Sequence, residues 1–238
     1  MRLLLLILVL VTSTAAWSQK PPIKFGDIPM EDMEMTVYPK DTSASAVVLA
    51  DYGIAYVSIA GPTPTLNFER IRRVKILTRE GLKYADASIP LFHTTAGEET
   101  ITGLKAATYN LENGKIVETR MAKDAVFTEK FNRYFNLKKF SLPNVKEGSV
   151  IEYSYTVRSD YIINFPNWEF QSTIPTRISE YWAMIPEFFI MERYMQGYVT
   201  ATEYKEDTRP RNDYIEKTFH WVIRDVPAFK EEPYMTSK

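Results

Sequence analysis

The sequence predicts a mainly β protein: an antiparallel β-sandwich with little helix, built as one large sandwich or as two packed β-rich halves. Three observations carry that expectation. Ile151, Tyr153, Tyr155 and Val157 alternate with Glu152, Ser154, Thr156 and Arg158, which is the period-two pattern of a half-buried strand. Ile215, Phe219, Trp221 and Ile223 alternate in the same way with Tyr214, Glu216, Thr218, His220 and Arg224, interrupted only by Lys217. Finally, Tyr 15 and Phe 13 against Gly 9 suit strands better than a glycine-dependent nucleotide fold, and after the leader no run of about 12 residues keeps a 3.6-residue apolar period.

Residues 1–18 read as a signal peptide. Arg2 provides the positive start, Leu3 to Val11 the apolar stretch, and Thr12, Ser13, Thr14, Ala15 and Ala16 the small-residue approach to a cut. Ala16-Trp17-Ser18 places Sec-type cleavage near Ser18. The apolar stretch is far shorter than the roughly 20 residues a spanning helix needs. The expectation is a periplasmic or secreted protein with no membrane span once the leader is removed.

Residues 19–40 form an arm containing Pro21, Pro22, Pro29 and Pro39. Met30 to Met35 suits one or two helical turns, with the methionines read as packing residues in preference to copper ligands. Residues 41–226 carry the sandwich. Beyond the two alternating segments, strands are expected at Val47 to Leu49, Ile54 to Ile59, Phe68 to Thr78, Tyr84 to Ile89, Leu104 to Tyr109, Ile116 to Thr119, Val126 to Phe131 and Tyr198 to Tyr204. Turns are expected at Glu80-Gly81, Asn113-Gly114, Pro143-Asn144 and Glu147-Gly148, and Asn113-Gly114 is the strongest hairpin signal because both residues tolerate positive φ. Residues 227–238, with Pro227, Pro233 and a charge run, read as a linker or tail.

Composition excludes several functions. With Cys 0 there is no disulfide framework, no thiolate zinc site and no thiol nucleophile. Lys+Arg 29 against Asp+Glu 30 lacks the basic excess of a nucleic-acid binder. No GxSxG elbow, GxGxxG turn or GxxxxGK[ST] loop occurs, and none of the many acids is singled out as a glycosidase pair. No cofactor and no metal is expected. A metal-dependent hydrolase would need His93 and His220, the only histidines, to converge with Glu98 or Glu99, and no HExxH spacing links them.

Three separated segments carry a family resemblance: Phe140-Ser141-Leu142-Pro143-Asn144-Val145-Lys146-Glu147-Gly148-Ser149-Val150-Ile151-Glu152-Tyr153-Ser154-Tyr155, Arg70-Ile71-Arg72-Arg73-Val74-Lys75-Ile76-Leu77-Thr78-Arg79-Glu80-Gly81, and Glu231-Glu232-Pro233-Tyr234-Met235. From about Asp41 onward the chain resembles the bacterial domain of unknown function found immediately N-terminal to transglutaminase-like domains in exported proteins. The resemblance implies a β-rich, non-catalytic front module whose companion domain uses a Cys-His-Asp type site. It transfers no catalytic residue, because the matched segments are strand and turn signatures.

The remaining candidates are ligand contacts. Tyr161, Phe165, Trp168 and Phe170 flank the Asn164 to Asn167 turn, and Tyr181, Trp182, Phe188 and Phe189 follow. Trp168 and Trp182, standing exposed side by side, would make a platform for a glycan or an extended peptide. The loop from His93 to Thr100, with His93 and Glu98, is a second contact candidate, and large aromatics such as Trp221 are read as core. The expected function is thus an exported, non-enzymatic binding or scaffold module that partners a transglutaminase-like domain, with an envelope peptide or glycan as the alternative ligand.

Overall fold

The computed structural model describes residues 21, 23–59, 63–192, 194–197 and 199–230. The signal peptide, Pro22 and the segment from Glu231 to Lys238 lie outside the described residues. A short helix, α1 (Met30–Glu34), precedes twelve strands: β1 (Ala46–Ser58), β2 (Thr65–Ile76), β3 (Asp86–Thr94), β4 (Gly97–Glu98), β5 (Thr100–Glu112), β6 (Lys115–Arg120), β7 (Val126–Lys130), β8 (Phe135–Ser141), β9 (Val150–Ser159), β10 (Thr176–Pro186), β11 (Glu203–Pro210) and β12 (Ile215–Val226). A 3-10 segment over Arg79–Ala85 joins β2 to β3.

Eight strands form one sheet in the order β11-β12-β10-β1-β2-β9-β5-β6, and four form a second in the order β4-β3-β8-β7. The fold is the expected all-β sandwich-like arrangement. Every pairing is antiparallel except β1 with β10, which run parallel with Gly53 opposite Tyr181 and Ala55 opposite Ala183. Asn113 and Gly114 take positive φ and close the β5–β6 hairpin, as the sequence predicts.

Alternation along the strands divides the large sheet into two faces. On one, Val74, Ile76, Ile151, Tyr155 and Val157 pack against Ile89, Leu91 and Phe140 of the small sheet. On the other, Val47, Leu49, Ala107, Tyr109 and Val150 pack against Ile28, Met33 and Tyr38 of the N-terminal arm. The arm is therefore a layer of the fold, and Met33 is a packing residue. A register shift between Val48 and Ala50 moves the side chains of β1 from one phase to the other. Ala46 and Val48 face the small sheet before the bulge, and Asp51, Gly53 and Ala55 share that side after it. That break divides β1 into two short apolar runs in the sequence, although the structure makes it one continuous strand.

Charged groups hold the arm down. Arg73 and Glu152, both fully buried, pair at 2.7 Å. The second Glu152 oxygen accepts from the Gly26 amide at 2.7 Å, and Arg73 donates to the Lys24 carbonyl at 3.0 Å. Asp32 accepts two hydrogen bonds from Arg177, at 2.6 and 3.1 Å. Lys75, also fully buried, donates to the carbonyls of Met33 and Gly148 at 2.6 and 2.7 Å.

Burial pushes the Lys75 ammonium down to about 8, with the nearby Asp32 carboxylate acting in the opposite direction. An unfolded lysine titrates near 10.4, so between these values the unfolded chain binds the extra proton and stability rises with pH. Buried tyrosines act in the opposite sense above about pH 10. Tyr52, Tyr109 and Tyr181 are pushed up mainly by burial, and stability is lost once the unfolded phenols ionise. Chemical denaturation should therefore show stability climbing by about 1–2 kcal/mol from about pH 8 toward pH 10, then falling. Lys75→Met should flatten the climb. A climb of equal size in that variant would assign it to another group.

Candidate functional site

The half of the large sheet formed by β1, β10 and β12 is covered by two irregular segments, residues 160–175 and the described residues 187–192 and 194–197. Tyr181, Ala183 and Ile185 of β10, Phe219 of β12 and Ala55 of β1 form its floor. These residues fall on one side because all occupy the same phase of neighbouring strands: Ala183 is opposite both Ala55 and Phe219. Phe165, Trp168, Phe170, Phe189, Met191 and Trp221 pack around them.

A cleft of about 510 Å3 opens between the two segments and this floor. Its rings are ordered against one another. Trp168 stacks on Tyr181 with centroids 5.1 Å apart and planes at 6°, and Tyr181 lies 6.0 Å from Trp221 at 18°. At the rim Ile163 and Ile190 are each 96% exposed, Tyr194 is 87% exposed and Met195 is 55% exposed. Among the described residues, Glu192 is the one carboxylate in the lining, and no histidine, lysine or arginine joins it. A lining of this composition suits apolar or aromatic groups.

Trp168 is positioned from three sides. Its indole N–H donates to Ser179 Oγ at 3.0 Å. The Arg70 guanidinium lies over the ring at 4.8 Å. Beneath it is Gly53, where an added methyl would fall among the indole ring atoms, including two at 2.8 Å. Arg70 is itself fixed by Asp51 through hydrogen bonds of 2.8 and 2.6 Å, and Arg72 adds a 3.0 Å ion pair to the same carboxylate. Burial pushes the Asp51 carboxyl up, but Arg70 and Arg72 outweigh it and hold it below the usual carboxylate range. Arg72 also reaches Ser172 Oγ at 3.2 Å, tying down the segment that carries Trp168.

The residues expected to bind ligand do not gather at one place. Trp182 occupies the opposite phase of β10 from Tyr181 and so lies on the other face of the sheet from Trp168. The two indoles form no common platform. Trp182 instead stacks on His220 at 3.6 Å and 10°, and its N–H donates to Glu180 at 2.7 Å. His220, expected beside Glu216 and Thr218 on a polar face, is buried with them. Its Nε2 lies 3.0 Å from the same Glu180 oxygen.

Tyr161, His93 and Glu98 belong to the neighbourhood of the small sheet. The Tyr161 hydroxyl donates to the Gly97 carbonyl at 2.8 Å and lies 2.8 Å from Thr94 Oγ1. His93 is paired with Glu98 across β3 and β4, and Glu98 accepts from Asn136 at 2.7 Å. His93 and His220 thus belong to different sheets.

Sequence reasoning missed the rim. The usable signal is a pair of apolar runs outside any strand, Tyr161-Ile162-Ile163 before Asn164 and Phe188-Phe189-Ile190-Met191 after Glu187. Such runs in connecting segments leave apolar side chains in solvent, as at Ile163 and Ile190.

The family model described as "Domain of Unknown Function with solved-structure structure (DUF3857)" matches residues 65–230. Among solved structures, the chain is similar to a protein from Parabacteroides distasonis ATCC 8503 described as a "putative protease", at TM-score 0.56 and 13% identity. That match covers 82% of this chain and 38% of the other, so the chain spans well under half the length of that neighbour. No curated protein matches the chain.

Proposed function

This chain belongs to the DUF3857 family, and we propose that it is an exported, non-catalytic binding module whose aromatic cleft receives an apolar segment of a transglutaminase-like catalytic domain. The observation that carries this reading is the cleft itself: a stacked aromatic floor, a rim on which Ile163, Ile190 and Tyr194 stand almost entirely in solvent, and one carboxylate among the described lining residues. Rims of that kind are maintained where a partner covers them. The fold also occupies a minor share of a longer chain described as a protease, which supports a module that works beside a catalytic unit. An envelope peptide or glycan is the second reading, favoured by the nearly parallel rings of Trp168 and Tyr181.

The test is displacement of the fluorescent apolar dye bis-ANS from the full chain. A purified transglutaminase-like domain from a longer family member should displace it, whereas chitohexaose and an unstructured polar peptide should not. Ile190→Asp and Tyr194→Ser alter fully solvated side chains and should leave the fold intact while weakening the domain about tenfold or more. Equal affinity in those variants, or displacement by the glycan alone, would overturn the reading.

A further inference from the structure

The strongest feature outside the cleft is the free end of the small sheet. β7 is an edge strand, and it is joined to β8 by the turn Phe131-Asn132-Arg133-Tyr134. Phe127 is opposite in phase to Val126, which packs toward the core, so it points away from the sandwich, and Phe131 follows at the start of the turn. They are 58% and 63% exposed, and Tyr134 is 43% exposed. Phe92 and Phe135, on the outward phase of β3 and β8, continue the same surface. Phe92 lies 6.2 Å from Tyr134 in a stacked arrangement and 5.5 Å from Phe135.

The turn is rigid. Asn132 Oδ1 accepts from the amides of Tyr134 and Phe135 at 2.8 and 2.9 Å. The amides of Phe131 and Asn132 both donate to the Phe135 carbonyl at 3.1 Å, and the His93 amide donates to the Tyr134 carbonyl at 2.8 Å. The turn backbone that carries the exposed rings is therefore held by its own hydrogen bonds, which leaves less backbone ordering entropy to be lost on binding.

Charge identifies the partner. From Lys130 to Lys139 the chain carries Lys130, Arg133, Lys138 and Lys139 and no acid, in a protein with Lys+Arg 29 against Asp+Glu 30. Arg133 sits 4.4 Å from the Tyr134 ring centre, at the tip itself. Of the acids nearby, Glu129 is paired with Lys139 at 2.7 Å and Glu98 accepts a hydrogen bond from Asn136 of β8. We propose that the tip of the β7–β8 hairpin is a peripheral membrane contact, placing Phe127, Phe131 and Tyr134 among the headgroups of an anionic lipid surface while Arg133 beside them, and Lys130 from the other face of the hairpin, meet the phosphates. Aromatic rings settle at the headgroup level, and basic groups beside them add attraction to anionic lipid. A planar surface touches only the tip and so avoids the acids elsewhere on the chain. An acidic protein partner would instead need a recess for the rings, and these stand on a protruding turn.

The experiment is co-sedimentation of the full chain with vesicles of phosphatidylcholine alone and with vesicles of equimolar phosphatidylglycerol and phosphatidylcholine. Binding is expected to the anionic vesicles only and should weaken as salt is raised. Phe131→Ser with Tyr134→Ser should weaken it about tenfold or more, as should Lys130→Glu with Arg133→Glu. Both pairs alter exposed side chains, and unchanged circular dichroism and thermal midpoint verify the fold. With Phe131→Trp, emission should shift to the blue on anionic vesicles. Failure to sediment with anionic vesicles, equal sedimentation with both compositions, insensitivity to both variant pairs, or a concentration-dependent dimer that Phe131→Ser dissolves would overturn the proposal. The last outcome would assign the surface to a second copy of the chain. The Ile190→Asp and Tyr194→Ser variants should bind vesicles normally, which separates this contact from the cleft.

Discussion

Removing the Glu152 carboxylate should be among the most damaging single changes in the protein. Glu152→Ala is expected to lower stability by about 3–5 kcal/mol in urea denaturation, because it leaves the fully buried Arg73 guanidinium without its counter-charge. It also strips the Gly26 amide of its acceptor, so the arm should become a preferred site of limited proteolysis. The pair is not itself a large source of stability. Burial pushes the Glu152 carboxyl above its ordinary range even though Arg73 and the Gly26 amide act to lower it. A raised carboxyl pKa means a stabilising contribution present in acid and lost as pH rises through the folded value. The charged pair therefore lies close to balance between attraction and desolvation. Accordingly, Arg73→Met with Glu152→Leu should retain more stability than either Glu152→Ala or Arg73→Ala. Equal losses in the double variant and the single ones would show that the pair contributes net stability.

Some of this architecture is legible in the sequence and some is not, for reasons that lie in particular strands. β9 and β12 alternate because their neighbours leave apolar and polar groups on different sides, and Asn113-Gly114 marks its hairpin because the backbone there needs positive φ. β10 is invisible to the same reasoning. It lies between β1 and β12, carries Ser179 and Glu180 within its run, and buries groups on both faces, so no period survives. β8 is hidden by Asn136, Lys138 and Lys139 among its apolar residues. β11 begins at Glu203, later than the Tyr198 to Tyr204 expectation, because its residues are almost all exposed and charged along an edge.

The candidate site shows the same limit. Trp168 stands out in the sequence as an aromatic near a turn, but its correct companions are Tyr181, Trp221 and Phe219, chosen by strand register and not by proximity along the chain. Trp182 is adjacent to Tyr181 in sequence and yet faces the other way, since a strand turns each successive side chain to the opposite side. Polar character misled in the same manner. His220 and Glu180 are buried together under the Trp182 ring, a placement that a hydrophobicity pattern assigns to solvent.

The polar centre beside the cleft should couple stability to binding. Asp51→Ala removes the carboxylate that answers both Arg70 and Arg72, and a loss of about 2–3 kcal/mol is expected, since two half-buried cations are then left side by side. Acid should reproduce the effect. A carboxyl held below its ordinary range contributes stability that is present above the unfolded value near 3.9 and is lost as pH falls through the folded one. Asp51 thus acts opposite to Glu152, and Asp51→Ala should reduce the acid sensitivity of the fold where Glu152→Ala does not. The consequence for the cleft follows from geometry. Arg70 lies over Trp168 and Arg72 holds Ser172, so freeing both should release the segment that forms one wall. Trp168 emission should shift to the red, and dye affinity should fall by more than the fraction unfolded accounts for. Adding Arg70→Met to Asp51→Ala should recover stability, because one of the two orphaned charges is gone, but not dye affinity, because the stacking cation is gone with it. If dye binding in Asp51→Ala merely tracks the folded fraction, the ion cluster is structural and the cleft wall stands without it.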